Sequence, residues 1–165
     1  MEYILLFFEF VWIKRLSYLK QIIFCVLIGL SIYYFSNEQV LIKHSFDFHS
    51  NIMTVLGILT GFSISIFTVF LTIDNENIRE AKKENFEKKI YGKEISLYDT
   101  LLIGLAYAII VQAILLIANF LYPIFIDIET TKSKLFFAIN IAVSIHIILL
   151  LMRSVLDFYF IITKK

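Results

Sequence analysis

Apolar residues gather into four long runs, separated by polar segments of unequal length. The second run, residues 51–73 (NIMTVLGILTGFSISIFTVFLTI), holds no charge over more than twenty positions. At about 1.5 Å of rise per residue that is enough to cross a hydrocarbon core of roughly 30 Å. Within it Thr54, Gly57, Gly61, Ser65, Thr68 and Thr72 recur at alternating steps of three and four, so they share one face of a helix. In lipid, helices associate where small residues let backbones approach, because pressing one leucine on another gains little. This stripe is therefore expected to be a helix-packing surface and the spine of a membrane bundle.

The other runs predict three further crossings, over residues 18–36, 98–126 and 135–156. Residues 1–16 are apolar over too short a stretch to span. Glu2 and Glu9 share a face there, Trp12 suits a headgroup boundary, and Lys14, Arg15 and Lys20 follow, which predicts an interfacial helix. Cys25 and Gly29 make a small pair on the first crossing. The segment 36–50 reads as an outer loop, with Ser50 or Asn51 capping the second helix. Residues 74–96 are rich in charge and in helix formers, and predict a cytoplasmic helical hairpin stopping at Gly92, with Glu84 and Lys88 paired at i, i+4. Ser96 and Asp99 match a capping box that opens the third crossing, and Pro123 is expected to kink or close its far end. In the fourth, Ala138, Ala142, His146, Leu149, Arg153 and Asp157 trace one face, with Arg153 and Asp157 expected to pair at the inner interface. The expected fold is all-α: a single integral membrane domain, a four-transmembrane-helix bundle with an N-terminal interfacial helix and a cytoplasmic helical hairpin.

Composition agrees with that class. The 165 residues are 59% hydrophobic and 18% charged, with a mean hydropathy of +0.82, more apolar surface than a soluble domain of this size can bury. The lone Cys25 cannot form an internal disulfide, and the first residues lack a cleavable signal pattern. Basic residues set the orientation. Lys14, Arg15, Lys20, Arg79, Lys82, Lys83, Lys88, Lys89, Lys93, Arg153, Lys164 and Lys165 fall on one side, against Lys43, Lys132 and Lys134 on the other. The positive-inside bias predicts a multi-pass membrane protein with both termini in the cytoplasm.

Little in the chain suggests reaction chemistry. It has no glycine-rich phosphate loop, no paired cysteines and no HExxH, so the expectation is a non-enzymatic protein without a cofactor. His44, Asp47 and His49 could in principle hold a metal, but ordinary polar residues of an exposed loop are the commoner case. Gln112, Asn119 and His146 form a candidate polar strip. It would either line a pore or supply interhelical hydrogen bonds, and the second role is the commoner. His146 is expected to face Gln112 or Asn119. The charged segment holds six basic and six acidic residues between 74 and 94, a balance that argues against direct nucleic-acid binding. Its Arg79, Lys82, Lys83, Lys88, Lys89 and Lys93 are candidate docking residues for a cytoplasmic protein partner.

The stretch GILTGFSISIFTVFLTIDNENIREAK (57–82), followed by a second apolar hairpin, resembles small four-crossing membrane proteins of bacterial anti-phage defence operons. The membrane subunit of the Kiwa system and the membrane accessories of Cas13b CRISPR loci are of this type. The resemblance is one of architecture. It implies a homo-oligomer in the lipid bilayer that senses infection or alters the membrane while a cytoplasmic partner acts on nucleic acid. A small homo-oligomeric channel or holin-like pore is the alternative.

The topology is directly testable. Cysteines placed near Asp47 and Lys132 should react with an impermeant reagent added outside sealed cells, and cysteines at Lys88 and Lys165 should not. Labelling at Lys88 would overturn the orientation.

Overall fold

The computed structural model describes residues 15–90, 93–125 and 131–163, with the backbone alone for 15–18, 38, 40–46, 85–90, 93, 125 and 131–133. The expected interfacial helix lies almost wholly outside these residues. Five helices and one two-stranded sheet follow in chain order: α1 (Arg15–Phe35), α2 (Glu38–Thr72), α3 (Glu76–Lys83), β1 (Asn85–Ile90), β2 (Lys93–Ser96), α4 (Leu97–Phe125) and α5 (Thr131–Thr163). Three helical segments are long and apolar enough to cross a membrane: Asp47–Thr72, Leu97–Ile124 and Lys134–Thr163. The apolar stretch of α1, Leu19–Phe35, is shorter.

Residues 36–50 are not a loop. Asn37 caps α2, its side chain accepting from the Gln39 amide at 3.0 Å, and the helix then runs unbroken for 35 residues. Ser36 and Asn37 make the whole connection, so Ser50 and Asn51 lie inside a helix rather than at its start. Polarity alone suggested a loop here, but no glycine or proline interrupts residues 38–50 and one asparagine supplies the cap.

The charged segment departs further from expectation. α2 stops at Thr72 because Asn75 begins a new helix, its Oδ1 accepting from the Ile78 amide at 2.8 Å. α3 lasts only eight residues, and β1 and β2 then pair antiparallel. Asn85 faces Ser96 and Ile90 faces Lys93, with an irregularity between Phe86 and Lys89. Glu84 caps α3 and Lys88 lies on a strand, so the two do not stand one turn apart on a helix. Two short segments, one ending in Ile90 and one beginning at Lys93, separated by Tyr91-Gly92 with its turn-favouring glycine, are the hairpin signal that high helix propensity masked. The capping box forms as expected: Asp99 Oδ2 accepts from the Ser96 amide at 3.2 Å, and Ser96 Oγ accepts from the Asp99 amide at 3.1 Å. Pro123 sits in the last turn of α4 without ending it.

α2, α4 and α5 pack together around Ile52, Leu56, Tyr107, Ala108, Leu115, Ile147, Leu150 and Leu151. α1 lies chiefly along α5, antiparallel to it: Gln21 meets His146, Gly29 meets Ala138 and Ala142, and Tyr33 lies under Lys134. Of Gly29, Gly57 and Gly61, Gly29 is the most tightly packed. A Cβ there would stand 3.1 Å from Ala142 Cβ and 3.2 Å from the Ala138 carbonyl oxygen. A Cβ at Gly57 or Gly61 would meet nothing within 4 Å.

Gly29→Leu should therefore lower stability by about 1–3 kcal/mol in denaturant titrations in mild detergent, through overpacking of the α1–α5 contact. Gly61→Leu should leave the fold of the single chain within about 0.5 kcal/mol of wild type. Equal losses would show that Gly29 is not the limiting approach.

Candidate functional site

The stripe Thr54, Gly57, Gly61, Ser65, Thr68 and Thr72 is exposed along its whole length. Within the chain α2 packs instead through Ile52, Leu56, Leu59, Ser63 and Phe70, which also recur at steps of three and four or their sum. At about 100° per residue the two faces lie roughly opposite one another on the helix. The hydroxyls of Thr54, Ser65, Thr68 and Thr72 donate to the carbonyls of Ser50, Gly61, Ile64 and Thr68, at 2.9–3.0 Å. The stripe is thus a smooth, internally satisfied ridge facing away from the bundle.

The candidate polar strip resolves into separate ties between helices. Gln112 on α4 donates through Nε2 to Ser63 Oγ on α2 at 3.1 Å. Asn119 on α4 donates through Nδ2 to Asn140 Oδ1 on α5 at 2.5 Å. His146 on α5 faces Gln21 of α1, which reaches its carbonyl oxygen at 3.1 Å and its Nδ1 at 3.3 Å, and the Tyr107 ring lies edge-on at 6.3 Å. The expected facing of His146 with Gln112 or Asn119 is not found, because α1 occupies that side of α5. Gln21, Ser63 and Asn140 were the partners missed. Each is a single uncharged polar residue at or within an apolar run, a weak signal that gains meaning only beside its partner.

At the end of the bundle that carries α3 and the hairpin, Phe70, Ile78, Ala81, Tyr98, Leu101 and Ile161 form a second cluster, with Phe70 and Ile78 fully buried. It joins four elements into a cap. The Phe70 and Tyr98 rings stack with centroids 4.7 Å apart, and Tyr98 donates its hydroxyl to the Phe70 carbonyl at 3.1 Å. Asn77 Nδ2 donates to the Ile162 carbonyl at 2.6 Å, which fastens α3 to the end of α5. The Leu97 amide donates to the Glu84 carbonyl at 3.0 Å, closing the loop that carries the hairpin.

The docking candidates divide accordingly. Arg79 grips Asp74 with two bonds, at 2.9 and 2.8 Å, while both side chains stay largely exposed. That guanidinium holds the Asp74 carboxyl below its ordinary value. Lys82 lies 4.7 Å above the centre of the Tyr98 ring, an attraction of cation and ring quadrupole that pins α3 to α4. Lys83 is exposed at the end of α3. Lys88, Lys89 and Lys93 stand on the hairpin, their side chains outside the described residues. Of the three outer residues considered for a metal, Asp47 is exposed and His49 lies half-buried beside Tyr122, both on α2. The His44 side chain is outside the described residues. Arg153 and Asp157 lie one turn apart on α5, Arg153 exposed and Asp157 half-buried.

The Ser63–Gln112 tie should show in a double-mutant cycle. Ser63→Ala and Gln112→Leu are expected to couple by about 0.5–1.7 kcal/mol in unfolding from bicelles, the range for hydrogen bonds between membrane helices. Strict additivity would mean that the two side chains do not depend on each other.

Comparison with protein-family models, with characterised proteins and with solved structures gives no match.

Proposed function

We propose that the chain is a non-enzymatic membrane subunit of a bacterial anti-phage defence system, oligomerising in the inner membrane and coupling it to a cytoplasmic effector. The observation that carries this reading is the cap. It is a folded charged platform built directly onto the spans, through the Phe70–Tyr98 stack, the buried Ile78 and the Asn77 bond to α5. A partner bound to α3 or the hairpin would thereby pull on α2, α4 and α5 together.

The proposed arrangement has four crossings and both termini in the cytoplasm. α1 supports it by running antiparallel to α5 from Gln21–His146 to Tyr33–Lys134. An interfacial helix over residues 1–16 completes the proposal. The ridge of Thr54, Gly57, Gly61, Ser65, Thr68 and Thr72 supplies the homo-oligomer contact, since its small side chains let a second backbone come close. The channel or holin-like alternative needs Gln112, Asn119 and His146 to line one continuous passage through the bundle, whereas each ties a different pair of helices together.

Phage challenge of cells expressing the chain with its co-transcribed neighbours tests the proposal. Protection should be present with wild type and lost with the triple variant Lys83→Glu, Lys88→Glu and Lys89→Glu, at unchanged membrane abundance and unchanged mass in mild detergent. The reading is overturned if wild type protects against no phage in a broad panel, if the triple variant protects as well as wild type, or if wild type is monomeric in every detergent tried.

A further inference from the structure

Among the described residues, three buried side-chain atoms have no hydrogen-bond partner: Asn119 Oδ1, Ser144 Oγ and Gln112 Oε1. They do not lie at random. Asn119 is bonded to Asn140, and Ser144 follows Asn140 by one turn on α5, so its hydroxyl sits about 6 Å deeper. Gln112 precedes Asn119 by two turns on α4, about 10 Å deeper. The three atoms thus descend in order from the outer end of the bundle towards its middle.

A cavity of about 20 Å³ opens at the top of this series, lined by Asn119, Asn140, His49, Tyr122 and three phenylalanines. One water needs roughly 10–15 Å³ of such space and two or more polar neighbours. Asn119 is 1% exposed, and its Nδ2 already donates to the Leu115 carbonyl and to Asn140. Its oxygen therefore wants a donor. No acidic side chain lines the cavity, so a neutral donor suits it better than a cation. Ser144 is unusual in the same sense. Ser63 and Ser154 return their hydroxyls to the carbonyl four residues back, at 2.7 and 3.0 Å, and Ser144 does not. Next to Gln112 on the side of the cap the core is an apolar layer, with Leu105, Ala108, Ile147 and Leu151 buried, and the buried Thr100 and Ser154 beyond it return their hydroxyls to the carbonyls of Ser96 and Leu150.

We propose that the cavity at Asn119 is a binding site for water, and that Ser144 and Gln112 extend a hydrated track inward to the middle of the bundle, where Leu105, Ala108 and Ile147 close it. The water donates to Asn119 Oδ1 and has His49 and Asn140 as its further polar neighbours. The track is blind, so it hydrates the outer half of the core without conducting through it. This inference is independent of the proposed partner and of the oligomer.

Solid-state NMR of the full isotope-labelled chain in lipid bilayers tests it, by measuring magnetisation transfer from water to individual groups. Transfer to the side-chain amides of Asn119 and Gln112 should build up several-fold faster than to the backbone amides of Leu105 and Ile147. In Asn119→Leu, transfer to the Asn140 and Gln112 amides should fall several-fold while the backbone shifts of α4 stay in place. Build-up at Asn119 as slow as at Leu105 in the wild-type chain overturns the site, and this needs no variant to fold. Fast build-up at Asn119 with slow build-up at Gln112 overturns the inward track.

Discussion

Inside hydrocarbon, a contact between two leucines only replaces contacts that each would make with lipid, so apolar burial cannot by itself decide how helices are arranged. What decides it here is a small set of polar ties. Ser63 to Gln112 joins α2 to α4, Asn119 to Asn140 joins α4 to α5, and Gln21 to His146 joins α1 to α5. α4 and α5 each take part in two ties and form the hub. α1 is held to that hub by the Gln21 tie and by close packing, which at Gly29 brings it nearly into backbone contact with α5, and α2 by the Ser63 tie and by the Tyr98 hydroxyl on the Phe70 carbonyl.

The position of α2 at the edge of the hub gives it two faces of different use. Its inner face ends at Phe70, which is the last residue of the helix packed within the bundle and the centre of the cap cluster below. Its outer face carries the small-residue ridge. In the proposed homo-oligomer, a displacement of α2 against a neighbouring copy would reach the cap through one helix, with Phe70 as the point of delivery. The cap is well placed to respond, since Ile78 and Tyr98 meet that ring from two other elements.

The length and apolar character of three spans were legible in the chain, as was the Ser96–Asp99 box, because both rest on local pattern. The direction of α2 was not. Two stripes of similar period lie on opposite sides of that helix, and the rule that small residues pack selected the one the chain leaves uncovered. Nothing local distinguishes them, since the choice belongs to Gln112 on another helix, which needs Ser63 to face it. The helical hairpin failed for a related reason. Glutamate and lysine are good helix formers, but propensity yields readily to context, and the Asn75 cap together with the paired strands outweighs it. Asn140 and Gln21 could not be singled out, because one amide in an apolar run acquires a role only from what stands opposite.

Apolar helices in lipid slide and rotate past one another at little cost, so the depth of each tie matters as much as its existence. Asn119–Asn140 lies near the outer end, Ser63–Gln112 near the middle, and the Tyr98 hydroxyl on the Phe70 carbonyl at the inner end. A shift of α4 by one residue would carry its side chains around by about 100° and break all three at once. Three ties spread over the length of α4 therefore fix its rotation and its height together. That fixed register is what allows a platform as small as an eight-residue helix and two short strands to sit at the end of the long helices, with Ile78 and Ala81 of its helix packed in the Phe70 cluster.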